Sequence, residues 1–291
     1  VIRDNDRVIV SNDLILRDDN RYHIDLADFE KQIVEHDVKL FLLCNPHNPA
    51  GRVWTPEELR RIGEICLRND VFVVADEIHC ELIMPGFRHT PFASLSDEFA
   101  RRSVTCTSPS KAFNLAGLQV ANIFAADAAI RERIGQALAL NETGEISPFA
   151  IEALTAAYDE GAEWLDALNA YLHENYLFLR DFLARELPRL KAAPLEGTYL
   201  AWVDARELGL SDGELSALLR TVKDPRVQDV MISITRVETT PDLRYTKVYV
   251  SFLQNDRAKE AMAGLRSAAG FLRRQLGSNL RLRYSPEIVW E

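Results

Sequence analysis

The sequence predicts an α/β domain on a mainly parallel sheet over residues 1–213, followed by a small α+β domain over residues 214–291. Three observations carry this reading. Short β-branched runs alternate with amphipathic helical segments in the first part, as a layered parallel sheet requires. Two long strands of alternating pattern, joined by a turn, open the last part. The formal charge also changes sign. Residues 1–213 hold 21 Lys and Arg against 35 Asp and Glu, a balance of −14, whereas residues 214–291 hold 13 against 9, a balance of +4. Such asymmetry marks two units with different partners, the acidic one ill suited to nucleic acid and the basic one suited to it.

Residues 38–44 form a short apolar run that stops at the turn-forming Asn45-Pro46-His47-Asn48-Pro49. Thr55-Pro56-Glu57-Glu58 then opens a helix, with Thr55 as N-cap, Pro56 first in the helix and Glu58 three residues after the cap. Leu59, Ile62, Ile65 and Cys66 mark its inner face and Asn69 its end. Residues 71–75 are unbroken and β-branched, as a parallel strand covered on both faces should be. Residues 102–107 and 120–125 supply two further strands. Residues 128–190 turn helical, with breaks around Thr143-Gly144 and Ser147-Pro148. Within them Tyr171, Glu174, Asn175, Leu179, Phe182 and Leu183 outline a long amphipathic helix ending at Pro188. Residues 197–203 read as one more strand, leading through Leu210-Ser211-Asp212-Gly213-Glu214 into a short helix.

The boundary between the two parts falls near Gly213. Beyond it, residues 230–238 and 244–252 pair as an antiparallel hairpin through Thr239-Thr240-Pro241-Asp242. Alternation sets Val248, Val250 and Phe252 on one face, with Lys247, Tyr249 and Ser251 on the other. Residues 256–276 are helical apart from Ala268-Ala269-Gly270, and residues 279–284 form a last strand.

A hydrophobic content of 47% with 27% charged residues is ordinary for a soluble globular protein. No run of 18 apolar residues is present, which excludes a helical membrane span. The chain opens Val1-Ile2-Arg3-Asp4, without initiator Met or signal-like segment, and reads as starting inside a longer protein. Cys44, Cys66, Cys80 and Cys106 form no Cys-x-x-Cys pair, so reduced core thiols of a cytosolic protein are expected.

In open α/β sheets, loops beyond the carboxyl ends of the strands present the reactive side chains. Asn48, Asp76, Ser108 and Lys111 each follow such an end. A partly buried lysine amine can attack a carbonyl. A carboxylate beside a pyridine nitrogen keeps the ring protonated and able to absorb a carbanion's electrons. Ser108 could hold a phosphate oxygen, and Asn48 could donate to a ring oxygen. Each residue alone has a bland reading: a solvated loop lysine, a helix-capping aspartate, an Asn-Pro turn. The ordered combination is what points to a pyridoxal phosphate site. His47, Asp76, Glu77, His79 and Cys80 fit no zinc spacing. His79 has the bland reading of a packed strand-end residue, while His23, His36, His89 and His173 lie in polar segments and are expected to be solvated.

Residues 1 to about 219 resemble the class I/II aminotransferase family and, within it, the bacterial cystathionine β-lyase-like carbon–sulfur lyases. The matching segments are Asn45-Pro46-His47-Asn48-Pro49-Ala50-Gly51, Ala75-Asp76-Glu77-Ile78-His79-Cys80-Glu81-Leu82, Ser108-Pro109-Ser110-Lys111-Ala112-Phe113-Asn114 and Gly197-Thr198-Tyr199-Leu200-Ala201-Trp202. The resemblance implies the large domain of the pyridoxal phosphate transferase fold type I, incomplete here. It implies Lys111 as Schiff-base lysine and general base, Asp76 as partner of the pyridinium nitrogen, Asn48 as donor to the ring oxygen and Ser108 as a phosphate contact. Gln119 stands where many aminotransferases have a phosphate-binding Arg, and His79, also assigned to cofactor binding, where many have Tyr. Both departures resemble the lyase subgroup, whose reaction is α,β-elimination from cystathionine or a cysteine conjugate to thiol, pyruvate and ammonia. That family usually forms a homodimer. Its phosphate-cradling loop, ring-stacking aromatic and carboxylate-binding Arg have no counterpart in residues 1–219, which implies an impaired site.

Residues from about 214 resemble ribosome-binding factor A, a small KH-like protein of 30S subunit maturation. The matching segments are Val222-Lys223-Asp224-Pro225-Arg226-Val227, the hairpin from Pro241 to Val250 and Leu280-Arg281-Leu282-Arg283-Tyr284-Ser285-Pro286-Glu287. Ala268-Ala269-Gly270 stands at the family's helix kink, in place of the Gly-x-x-Gly of ordinary KH domains. Between residues 266 and 283, Arg266, Arg273, Arg274, Arg281 and Arg283 occur without an acidic residue. On charge alone this stripe is equally a phosphate-backbone footprint and a solvated basic face; the resemblance implies 16S rRNA as its partner. The two resemblances overlap between residues 211 and 220, so the chain reads as a fusion of two partial proteins. A natural gene fusion, a mis-assembled gene model and a deliberate chimera would each produce such a join, and a product in which neither part works is a further reading.

Overall fold

The computed structural model describes residues 2–209, 211 and 265, together with the backbone of residues 232–239, 245–252 and 287–290. The chain divides into two compact units, Val1–Ala205 and Arg206–Glu291. In the first, a short antiparallel pair, β1 (Ile15–Leu16) and β2 (Tyr22–His23), precedes α1 (Leu26–Glu35). Then follow β3 (Leu40–Cys44), α2 (Pro56–Arg68), β4 (Phe72–Asp76), α3 (Asp97–Arg101), β5 (Ser103–Thr107), α4 (Pro109–Ala112) and β6 (Asn122–Phe124). Three helices come next, α5 (Ala128–Leu140), α6 (Pro148–Glu160) and α7 (Ala162–Glu186), and a small pair, β7 (Lys191–Ala192) and β8 (Val203–Asp204), closes the unit.

The central sheet runs β3-β4-β5-β6, with β3, β4 and β5 parallel and β6 antiparallel to β5. This is the mainly parallel sheet expected. Helix α2 starts as its sequence dictates. The Thr55 hydroxyl accepts from Glu58 N and the Glu58 carboxylate accepts from Thr55 N, a complete capping box. Its Leu59, Ile62, Ile65 and Cys66 are buried against Phe29 and Ile33 of α1 and against Leu43, Val73 and Ala75 of the sheet. Leu59 and Ile62 are fully covered, each contributing roughly 1.5–3 kcal/mol of transfer free energy.

Two expectations are corrected. Residues 71–75 were expected to be covered on both faces. Val71, Val73 and Ala75 are buried, but Phe72 and Val74 are only half-buried, and their neighbours Leu40 and Leu42 on edge strand β3 are 49% and 51% exposed. The helices of this unit cover one face of that edge. Residues 197–203 do not form the expected strand. Gly197 makes one antiparallel bridge to Ile83, then Thr198 adopts φ +70°, which a pleated strand cannot accommodate, and pairing resumes only at β8. On α7 the buried positions are Tyr176 and Leu183, and Tyr171 is 48% exposed.

In the second unit β9 (Ile232–Thr239) and β10 (Tyr245–Phe252) form the expected antiparallel hairpin. The register slips between Tyr249 and Val250, leaving Thr235 as an extra residue opposite them, so one strict alternation does not run through the pair. The third strand is β11 (Glu287–Trp290), parallel to β10. The strand expected at residues 279–284, the boundary at Gly213 and the arginines 266, 273, 274, 281 and 283 lie outside the described residues.

Candidate active site

The parallel register sets Cys44, Asp76 and Cys106 side by side at the carboxyl ends of β3, β4 and β5. Adjacent strands stand about 4.8 Å apart, so the loops that leave these ends are neighbours. The loop after β3 carries Asn48, Asp76 ends β4, and the loop after β5 carries Ser108 and Lys111. The order of the chemistry across the sheet is thus amide, carboxylate, amine.

Asn48 is exposed, and its backbone N–H donates to Cys44 Sγ at 3.4 Å, folding the loop back over its own strand. Asp76 is exposed; Oδ1 accepts from Ile78 N at 3.2 Å, a local turn that fixes the carboxylate at the strand end. Lys111 is half-buried in the single turn of α4, and among the described residues its Nζ has no hydrogen-bond or ion-pair partner. His79 is 2% exposed and neither ring nitrogen has a hydrogen-bond partner among the described residues. Burial holds its imidazole below the ordinary range; the charge of Lys111 pushes the same way and that of Asp76 opposes it. The three groups therefore share one electrostatic neighbourhood. Tyr199 stands against the His79 ring, with centroids 5.6 Å apart and planes at 77°.

Ser108 has a different position from a free phosphate donor. It is 2% exposed, caps α4 by accepting from Ser110 N, and donates its own proton to Val120 O at 2.6 Å. Gln119 follows a short turn at φ +53°. Glu77, beside Asp76, points its carboxylate into the fold, accepting from Phe92 N at 2.8 Å and pairing with His89 Nε2 at 3.0 Å. His89 is consequently a nearly buried partner, not the solvated residue its polar segment suggests. A groove lined by Ala93, Ala100, Thr105, Ile123, Phe124 and Arg131 opens along the β5–β6 side of the sheet, away from these loops.

Sequence reasoning missed the pair that fastens the loops. Glu196, 3% exposed in its side chain, accepts from Arg52 Nε at 2.9 Å and Val53 N at 2.9 Å. Arg52 also donates to both Glu58 oxygens and to Tyr22 O, and its guanidinium lies 4.7 Å from the Trp54 ring centroid. The backbone joins in: Glu196 N and Gly197 N donate to Gly51 O, Thr198 N to Leu82 O, and Met84 N to Glu196 O. Residues 196–198 thus lace the Asn48 loop to the loop carrying His79. Gly197 is required there, because a Cβ would stand 2.8 Å from Val53 Cγ2 and 3.1 Å from Leu82 O. A signal was available in the buried-type flanks of Arg52 and Glu196, two charges set in otherwise apolar or Gly-containing segments.

The residues in place fit a pyridoxal phosphate in part. An unpartnered half-buried amine, a strand-end carboxylate and an open amide suit the aldehyde, the ring nitrogen and the ring oxygen, and the buried imidazole keeps unused hydrogen-bonding capacity. Ser108 suits the phosphate only by giving up its bond to Val120.

Comparison with known proteins bears on the family and the fold. Residues 12–251 match the family model for aminotransferase class I and II. The chain is 46% identical over 215 residues to cystathionine beta-lyase PatB of Bacillus subtilis, covering 74% of this chain and 55% of that protein. It is 35% identical over 198 residues to protein MalY of Escherichia coli, covering 67% and 50%. Cystalysin of Treponema denticola, whose crystal structure contains pyridoxal 5'-phosphate, superposes with TM-score 0.73 at 35% identity over 75% of this chain and 55% of its own. The PLP-bound carbon–sulfur lyase of Staphylococcus hominis does so with TM-score 0.66 at 38% identity, over 71% and 52%. The chain spans about half the length of the curated relatives it matches. Separately, 75 residues are 48% identical to ribosome-binding factor A of Caldanaerobacter subterraneus, 25% of this chain and 61% of that protein. The fold, the ordered strand-end residues and the family match lead to one conclusion: this chain belongs to the aminotransferase class I and II family.

Proposed function

We propose that residues 1–213 form the cofactor-bearing part of a pyridoxal phosphate-dependent carbon–sulfur β-lyase acting on cystathionine or a cysteine conjugate. The observation that carries the reading is the order Asn48, Asp76, Lys111 across three adjacent parallel strand ends, with the Lys111 amine unpartnered among the described residues. The similarity to PatB and to the carbon–sulfur lyases supports elimination over transamination. So do Gln119 and His79, the residues that part from the usual aminotransferase pattern.

When bound, the cofactor supplies a carbonyl carbon that condenses with an amine and a pyridinium ring that accepts a carbanion's electrons. Lys111 Nζ would hold its aldehyde carbon and would serve as the base for the substrate's α-proton. The Asp76 carboxylate would hold the proton on the ring nitrogen, and the Asn48 side chain would donate to the ring oxygen. His79, kept neutral by burial, offers a hydrogen bond without adding positive charge beside Lys111. Arg52 and Glu196 keep the Asn48 and His79 loops in one register. The test is pyruvate release from cystathionine by the chain supplied with pyridoxal phosphate. Release above background that is lost in Lys111→Ala is expected; equal rates in both would refute the reading.

A second reading concerns residues 214–291, and the similarity to ribosome-binding factor A favours it. There the basic residues Arg266, Arg273, Arg274, Arg281 and Arg283 would contact the phosphates of 16S rRNA. Its affinity for small-subunit RNA should fall with salt and fall again in the Arg273→Ala, Arg274→Ala variant. A flat salt dependence would count against it.

A further inference from the structure

Thr198 is a β-branched residue at φ +70° in a fully buried position. Side chains branched at Cβ rarely take this conformation, and where they do the surrounding structure is imposing it. The imposing bonds are clear: Thr198 N donates to Leu82 O at 2.8 Å, and Thr198 Oγ1 accepts from Leu200 N at 3.2 Å. On the N-terminal side, Gly197 is bridged to Ile83 and bonded to Gly51 O. The consequence is a sharp change of direction that ends strand pairing and brings the next residue, Tyr199, against His79.

His79 needs such a contact. It is buried, yet no hydrogen bond to either nitrogen fixes the rotation of its ring among the described residues. The near-perpendicular packing of Tyr199 is the ring contact it has. From the other elements around it, the charges that act on the imidazole are Lys111 of α4 and Asp76 of β4. We propose that Tyr199 is a positioning residue of the candidate site, its ring holding the His79 imidazole in one orientation beside Asp76 and Lys111, with the left-handed turn at Thr198 as the device that aims it. The role of Tyr199 toward the cofactor rests on the pyridoxal phosphate reading; its hold on His79 does not.

The experiment follows the histidine imidazole signals of the isotopically labelled full chain as pH is varied, in the absence of cofactor. His79 is assigned by the one signal missing in His79→Gln. Tyr199→Phe keeps the ring and should leave the His79 titration unchanged. Tyr199→Ala and Tyr199→Leu admit water, and the titration should move up toward the ordinary imidazole range, since burial is its largest depressing influence. Tyr199 is 41% exposed, so these variants should retain the fold, which circular dichroism verifies. In a parallel titration with pyridoxal phosphate, Tyr199→Ala should bind about 3- to 10-fold more weakly than the parent and Tyr199→Phe equally well, the range expected for one aromatic pair. An unmoved His79 titration in Tyr199→Ala overturns the proposal whatever the cofactor does. A moved titration in a chain that binds no pyridoxal phosphate sustains the hold on His79 and instead refutes the proposed function.

Discussion

Removing the Glu196 carboxylate should loosen the site's scaffold while leaving every proposed cofactor contact in the chain. Glu196→Ala deprives Arg52 Nε and Val53 N of their acceptor in a position only 3% exposed. Breaking a buried ion pair costs about 3–5 kcal/mol. The low end applies, because Arg52 keeps its two bonds to Glu58 and is not left as a bare charge. The third partner, Arg21 at 3.3 Å, is 41% exposed and adds little. A loss of about 3 kcal/mol lowers the melting temperature of a unit of this size by about 6–12 °C. Glu196→Gln retains an acceptor for Val53 N and should cost only about 1–2 kcal/mol. Thermal circular dichroism of the full chain measures the shift, and hydrogen exchange of residues 47–54 and 196–203 assigns it to the laced loops. A change in Glu196→Ala of less than about 2 °C, or exchange confined to other segments, would refute the view that this pair fastens the two loops.

Three further outcomes are expected. Gly63→Ala would bring a Cβ within 2.4–2.8 Å of three Phe99 ring atoms, and Phe99 is itself stacked on Phe92 at 5.1 Å, so the ring cannot easily yield. Overpacking there should cost about 1–3 kcal/mol in urea unfolding, and no loss would show that Phe99 rotates freely. His47 and His79 are both held below the ordinary imidazole range by burial, His47 also by Arg52. The unfolded chain then takes up those protons first as pH falls through about 6.5, so stability declines on acidification and is full above that pH. His47→Asn should flatten this slope in melting curves between about pH 7.5 and 5, and an unchanged slope would contradict the assignment. The four cysteines are free, and burial raises every thiol, Cys66 to about 12, with Glu81 further raising Cys80. A thiol reagent at about pH 8 should therefore label the folded chain slowly and all of them on unfolding; rapid labelling of the native chain would contradict it.

Much of the first unit was legible because local chemistry and tertiary demand agree there. Thr55-Pro56-Glu57-Glu58 caps a helix in any context, and the spacing of Leu59, Ile62, Ile65 and Cys66 needs only one sheet to pack on. The placement of Asn48, Asp76 and Lys111 beyond strand ends was legible because parallel strands bring their carboxyl ends to one edge wherever the order of elements repeats. What escaped depends on contacts distant in sequence. Arg52 and Glu196 are 144 residues apart, and neither has a periodic pattern to announce it. Residues 197–203 have strand composition, but bonds from Leu82 and Gly51 hold Thr198 in a left-handed turn that composition does not encode. His89 reads as solvated from its neighbours, yet Glu77 draws it to 11% exposure. The covering of the Val71–Ala75 run was likewise a matter of which elements lie over the sheet, and β-branched texture is the same for one covered face as for two.

The central claim is that Lys111 is the residue that takes the cofactor. Incubating the chain with pyridoxal phosphate, reducing with borohydride and mapping the peptides by mass spectrometry tests it most directly. The account predicts a yellow chain whose reduced adduct lies on the peptide containing Lys111 and is absent from Lys111→Ala. An adduct spread over surface lysines, or one that persists in Lys111→Ala, would contradict it.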